Sequence, residues 1–394
     1  MSADPTAISI GRGIALRIGQ LRSWGSRIRE RLDRQKSDSD EFRSAGAQAL
    51  LKLAPGRVSR AEFLLHQAET DLAKDDQFLL VQIYLTLAEA EANLKAVERS
   101  ILPPLLTRTK SDVSYDDFIT RFLSDLNLTQ FQPVTSHKQS RVLAVDPWFK
   151  DNPIFAFSPT IRSFEFLSLL YHEIGHVVWW HVLEDQHRRK LLDEVRKFSA
   201  PLNIEPTMNA VQEIAADTFG GIVGGHPYIT NLCSFFLSKQ SLDEQPSKEY
   251  PSPVLRVWLS RRASEIADCP KEDLSDPLID AWDELLRLRQ RQLPEVVIPQ
   301  VDPVAVVDFA FGFGEILREL GIPSCGEHSR LSYSADCAPR IDDNTSKPAL
   351  LLVASKYRSA IGWEKYRDWQ NTVFEQLGLT HRSWWGRVID GLGL

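Results

Sequence analysis

Apolar positions recur at helical spacing through most of the chain, and short alternating runs interrupt them mainly after residue 140. Ile14, Ile18, Leu21, Ile28 and Leu32 fall on one stripe, which predicts an amphipathic helix within residues 1–36. Ser37-Asp38-Ser39-Asp40 breaks it. Helix formers then dominate from Ala47 to Leu51 and from Arg60 to Glu98, with Pro55-Gly56 expected to turn the chain between them. Pro103-Pro104 should end this hairpin or small bundle, and residues 112–126 read as a further amphipathic helix.

After Ser140 the texture changes. Arg141 to Val145 and Ile154 to Phe157 read as strands, separated by Asp146-Pro147 and Asn152-Pro153. Ser158-Pro159 offers a cap and a first-turn proline for the next helix, which is apolar nearly all round from Phe164 to His181 and is therefore expected to be buried. Another apolar helix opens near Thr207 or Asn209, and a turn from Tyr250 to Pro253 leads into one more. The remaining third reads as helical over Pro277 to Gln292, Pro303 to Leu320 and Pro348 to Val388, with a loop from Pro323 to Lys347. The expected fold is α+β and predominantly helical, with a small sheet. Its expected division is 1–40 (basic amphipathic helix and linker), 41–130 (helical), 131–270 (core) and 271–394 (helical).

Composition narrows the class. Of 394 residues, 43% are hydrophobic and 25% charged, as in folded globular proteins. A net charge of -7 argues against nucleic-acid binding across the whole surface. The basic residues Arg12, Arg17, Arg22, Arg27, Arg29, Arg31 and Arg34 nevertheless cluster at the amino-terminal stripe, against Asp4, Glu30 and Asp33. That stripe fits packing on the domain with solvated arginines, our default, or a peripheral membrane or partner contact through residues 11–36. No segment is apolar enough for a transmembrane helix, and no signal-peptide core precedes Arg12. Cys233, Cys269, Cys325 and Cys337 lack metal-site spacing and read as buried thiols, so a cytoplasmic location is expected.

The chemistry concentrates in His172-Glu173-Ile174-Gly175-His176, an H-E-x-x-H run. On a helix, histidines four residues apart project from one face and can bind one zinc ion, with Glu173 beside them as general base. Catalytic zinc needs a third protein ligand, and Glu213 in Glu213-Ile214-Ala215-Ala216-Asp217 is the candidate. Asp217, one turn later, can accept the outer N–H of a ligand histidine, expected to be His172. A donor for the developing oxyanion is sought among Tyr250, His226 and Arg256.

Together these runs resemble the gluzincin branch of zinc peptidases, in which H-E-x-x-H is followed by a helix bearing E-x-x-x-D. The second run is similar to the third-ligand helix of the HtpX and CAAX-protease group and of the ImmA/IrrE regulatory peptidases. The pentapeptide is also similar to that of the Lit-type phage-exclusion peptidases. Residues 177–212 form a short spacer, which suits compact members. Tyr250 stands where the HtpX-like group has histidine. The resemblance implies a zincin-like core, one catalytic Zn2+ and hydrolysis of a peptide bond in a narrow protein or peptide substrate. The alternative is a non-enzymatic interaction protein that keeps the fold and a structural zinc.

Overall fold

The computed structural model describes residues 5–34, 40–74, 79–106, 110–137, 143–146, 152–157, 164–199, 207–239, 251–267, 277–292, 303–327, 341, 345–361 and 363–379, and helix predominates among them. The chain divides into two units, 1–116 with 132–137, and 117–131 with 138–394.

In the first unit, α1 (Pro5–Asp33), α2 (Ala45–Leu72) and α3 (Leu80–Ala96) pack side by side. Each buries residues three or four apart: Ile14, Ile18, Leu21, Gly25, Ile28 and Leu32 on α1, Leu50, Ala54, Val58, Ala61, Leu65 and Ala68 on α2, and Ile83, Leu87, Ala90 and Leu94 on α3. This is the repeat of helices packed along a seam, with alanines letting α2 approach both neighbours. The amino-terminal stripe is thus core. Its arginines pair across helices, Arg17 with Glu91 at 2.6 Å and Arg29 with Glu62 at 2.6 Å.

Two expected breaks are absent. Helix α2 continues through Pro55, because the stripe of Leu50, Ala54, Val58 and Ala61 stays in register across it and its packing outweighs the lost hydrogen bond. Past α3 the chain continues through a π-helical turn, Val97–Ile101, into α4 (Leu102–Leu106), whose first turn takes up Pro103 and Pro104. Helix α5 (Lys110–Asp125) begins in this unit. Its buried Asp116 accepts hydrogen bonds from Ser44 and from the backbone N–H of Thr135 at 2.6 Å, anchoring β1 (Val134–His137), a strand the sequence pattern did not announce.

The second unit carries β2 (Leu143–Asp146) and β3 (Ile154–Phe157), paired antiparallel with Leu143 opposite Phe157 and Asp146 opposite Ile154. Next come α6 (Phe164–Leu167) and α7 (Leu170–Val177), and β2 lies against α7. The expected single motif helix is broken at Ser168-Leu169 and ends in a π-helical turn, Val178–Val182; its expected start at Ser158-Pro159 lies outside the described residues. Then follow α8 (Asp185–Ser199), α9 (Met208–Phe219), α10 (His226–Lys239), α11 (Pro253–Ile266), α12 (Pro277–Gln292), α13 (Pro303–Glu319), α14 (Lys347–Ile361) and α15 (Trp363–Gln376). Trp369 packs on Tyr357 at 5.1 Å between ring centroids and on Phe164 at 5.7 Å, a core role.

Glycines set the distance between the central helices. A Cβ on Gly175 would lie 2.7 Å from Ala216 Cα, and one on Gly221 would lie 2.3 Å from the Ser260 carbonyl oxygen. Helices α7 and α9 therefore touch backbone to backbone. Cys233 is a buried thiol outside any disulfide, whereas Cys325, on a partly exposed turn, is disulfide-bonded rather than a thiol. No helix among the described residues is long and apolar enough to cross a membrane.

Candidate metal centre

Helix α7 presents His172 and His176 on one face, and α9 crosses it at Gly175 and Ala216. Thr207 opens α9 by accepting the N–H of Ala210 at 3.2 Å, which fixes where Glu213 falls along the crossing. The three side chains meet. His172 Nε2 and His176 Nε2 stand 3.1 Å apart, and Glu213 places its two carboxylate oxygens 3.4 Å from the first and 3.5 Å from the second. A tetrahedral ion with bonds of about 2.0–2.1 Å spaces its ligand atoms about 3.3–3.4 Å apart. Three donors already lie near those spacings, so the residues fit a metal ion.

Behind the donors, His172 Nδ1 donates to Asp217 Oδ1 at 2.9 Å, because an ionised carboxylate can only accept. That assigns the Nδ1 proton and turns Nε2 toward Glu213 and His176. Asp217 is fully buried and takes three further bonds: Arg256 donates through Nε to Oδ2 and through Nη2 to Oδ1 at 3.0 Å, and the Tyr228 hydroxyl donates to Oδ1 at 2.5 Å. Ser260 holds the Asp217 carbonyl at 3.1 Å, which ties α11 to α9. Arg256 Nη2 also lies 3.3 Å from Glu213 Oε2, so one guanidinium faces both carboxylates.

No protein family, curated protein or solved structure matches this chain.

The electrostatics follow from these contacts. Burial opposes the charge on Asp217, yet Arg256 and His172 outweigh it and hold its pKa at about 2. Glu213 is likewise resisted by burial and held well below the usual carboxylate range by the two histidines and Arg256. Burial works against a charged His172, but Asp217 and Glu213 push its pKa up to about 10. The field that holds an extra proton on that ring also draws a cation to the three donors.

The site is enclosed but not sealed. The side chains of His172, His176 and Glu213 keep 12–13% of their surface exposed, against 0% for Asp217. Glu173 lies between the two histidines on α7 and is buried. Of the residues considered for the oxyanion, Tyr250 lies outside the described residues. His226 sits elsewhere, with Nδ1 3.0 Å from the Ser355 hydroxyl, and Arg256 turns its Nε and Nη2 to the carboxylates. His181 packs against Phe131 at 6.3 Å between ring centroids, away from the donors. Tyr228 escaped the sequence reading, since an aromatic in an apolar helix carries no mark of what its hydroxyl touches.

Proposed function

We propose that this chain is a zinc-dependent endopeptidase of the gluzincin type, with a zincin-like core formed by β2, β3, α7 and α9. The observation that supports the reading is the convergence of His172, His176 and Glu213 at tetrahedral ligand spacing, with Asp217 fixing the outer nitrogen of His172. Those three residues would hold the ion, and two nitrogens with one carboxylate suit zinc. When bound, zinc supplies a Lewis acid that polarises a carbonyl and eases deprotonation of water near neutral pH.

The protein's own groups do the rest. Glu173 removes a proton from the attacking water as its oxygen bonds to the scissile carbonyl carbon, and gives that proton to the departing amide nitrogen as the C–N bond breaks. No covalent bond to the enzyme is needed. Strand β2, beside α7, offers an edge along which an extended peptide can lie.

The test combines elemental analysis with proteolysis. Purified full-length protein is expected to hold one zinc per chain after mild dialysis. Glu173→Gln should keep that zinc while losing peptide cleavage, and Glu213→Ala should weaken zinc retention. Absence of stoichiometric zinc from the unaltered protein sinks the reading. Zinc without any cleavage of cellular proteins, assessed by mapping new termini against Glu173→Gln, favours an interaction protein with structural zinc.

A further inference from the structure

We infer that Tyr228 is a positioning residue for the proposed metal ligand His172, acting through the Asp217 carboxylate; this rests on the metal-binding reading above. The hydroxyl and the imidazole share one acceptor: Asp217 Oδ1 takes Tyr228 Oη at 2.5 Å and His172 Nδ1 at 2.9 Å. Tyr228 Oη itself stands 3.4 Å from His172 Nδ1, so all three atoms form one compact cluster.

The carboxylate has competing demands. Arg256 reaches Oδ2 through Nε and Oδ1 through Nη2, an arrangement in which the guanidinium can claim both oxygens as a bidentate pair. That pairing is already made with Oδ1 shared between Nη2 and the His172 ring, and further rotation of the carboxylate toward Arg256 would carry Oδ1 off that ring. The Tyr228 hydroxyl, donating to the oxygen that His172 uses, opposes that rotation. Holding Oδ1 in place keeps Nδ1 turned to Asp217 and aims Nε2 at Glu213 and His176.

The fold makes room for this ring. Tyr228 is completely buried, and a Cβ on Gly220 would lie 2.5 Å from its Cε1 and 2.6 Å from its Cζ. Any larger residue at 220 would push the hydroxyl end of the ring. Gly225, at φ 58°, is the left-handed residue that turns the chain from the π-helical turn at Gly220–Gly224 into α10, where Tyr228 sits in the first turn.

The test is a double-substitution cycle on the full chain, read by zinc affinity in chelator competition and by the visible spectrum of the cobalt(II)-substituted protein. Tyr228→Phe keeps the ring in its slot and removes only the hydroxyl. It should weaken zinc binding about ten-fold, as loss of such an outer partner does, and alter the cobalt spectrum. In an Asp217→Ala background the same substitution should change affinity by less than about two-fold, because the hydroxyl then has nothing to hold. Gly220→Ala, which keeps the hydroxyl but displaces the ring, should mimic Tyr228→Phe in both readouts. An unchanged affinity and cobalt spectrum in Tyr228→Phe overturn the inference, and so does an equal loss with or without Asp217, the mark of a merely structural side chain. Failure of the unaltered protein to bind zinc or cobalt would instead overturn the metal reading itself.

Discussion

Replacing Gly175 with alanine tests whether the metal donors depend on the close crossing of α7 and α9. The added methyl would lie 2.7 Å from Ala216 Cα, 3.1 Å from its carbonyl oxygen and 3.2 Å from its Cβ. Carbon atoms in favourable contact stand about 3.5–4.0 Å apart, so the helices must part by about 0.8 Å. Two of the contacted atoms are backbone, which cannot swing aside as a side chain can. Overpacking of this kind costs about 1–3 kcal/mol, against a gain of up to about 1 kcal/mol for exchanging a helical glycine for alanine. A net loss of about 1–2 kcal/mol is expected in denaturant unfolding with chelator present. The donors sit on both helices, so the Glu213 distances of 3.4 and 3.5 Å would open toward about 4 Å, beyond the ligand spacing of a tetrahedral ion. Zinc affinity should fall about ten-fold or more. An alanine variant that is more stable than the parent and binds zinc equally well would refute the reasoning, because helix propensity alone would then have decided the outcome.

Two further outcomes follow from the same structure. Arg256→Leu removes the only cation described beside the buried Asp217 and the half-buried Glu213 carboxylates apart from the His172 ring, so the metal-free protein should lose about 3–5 kcal/mol in denaturant unfolding. Zinc at saturating concentration should recover part of that loss, and no recovery would place the ion elsewhere. Pro55→Ala should stabilise the first unit by on the order of 1–3 kcal/mol, since α2 already runs through that position without its hydrogen bond; a melting temperature that fails to rise would show that the proline does other work.

What could be read from the sequence was what repeats locally. Spacing of four places His172 with His176 and Glu213 with Asp217 regardless of what surrounds them, and apolar positions at helical spacing picked out α1 and α5. Breaks were harder to read. Pro55 lies inside a helix, while the apolar run before His172 conceals a turn at Ser168-Leu169, because a segment buried on all sides has no polar face to mark where it bends. Residues far apart in sequence were the least legible. Arg256 was expected as a donor to substrate, yet two enclosed carboxylates within one helical turn, Asp217 wholly buried, demand a counter-charge, and it supplies one.

That assignment changes how the centre should behave without its ion. Glu213 and Asp217 bring two negative charges into a buried crossing, and Arg256 offsets one while His172, holding an extra proton, offsets the other. The donors are therefore compensated before any metal arrives. On the proposed reading a cation would have only to displace the His172 proton and settle on groups already spaced for it, so metal binding would complete a folded site rather than drive the fold, unlike domains that are unfolded without their zinc.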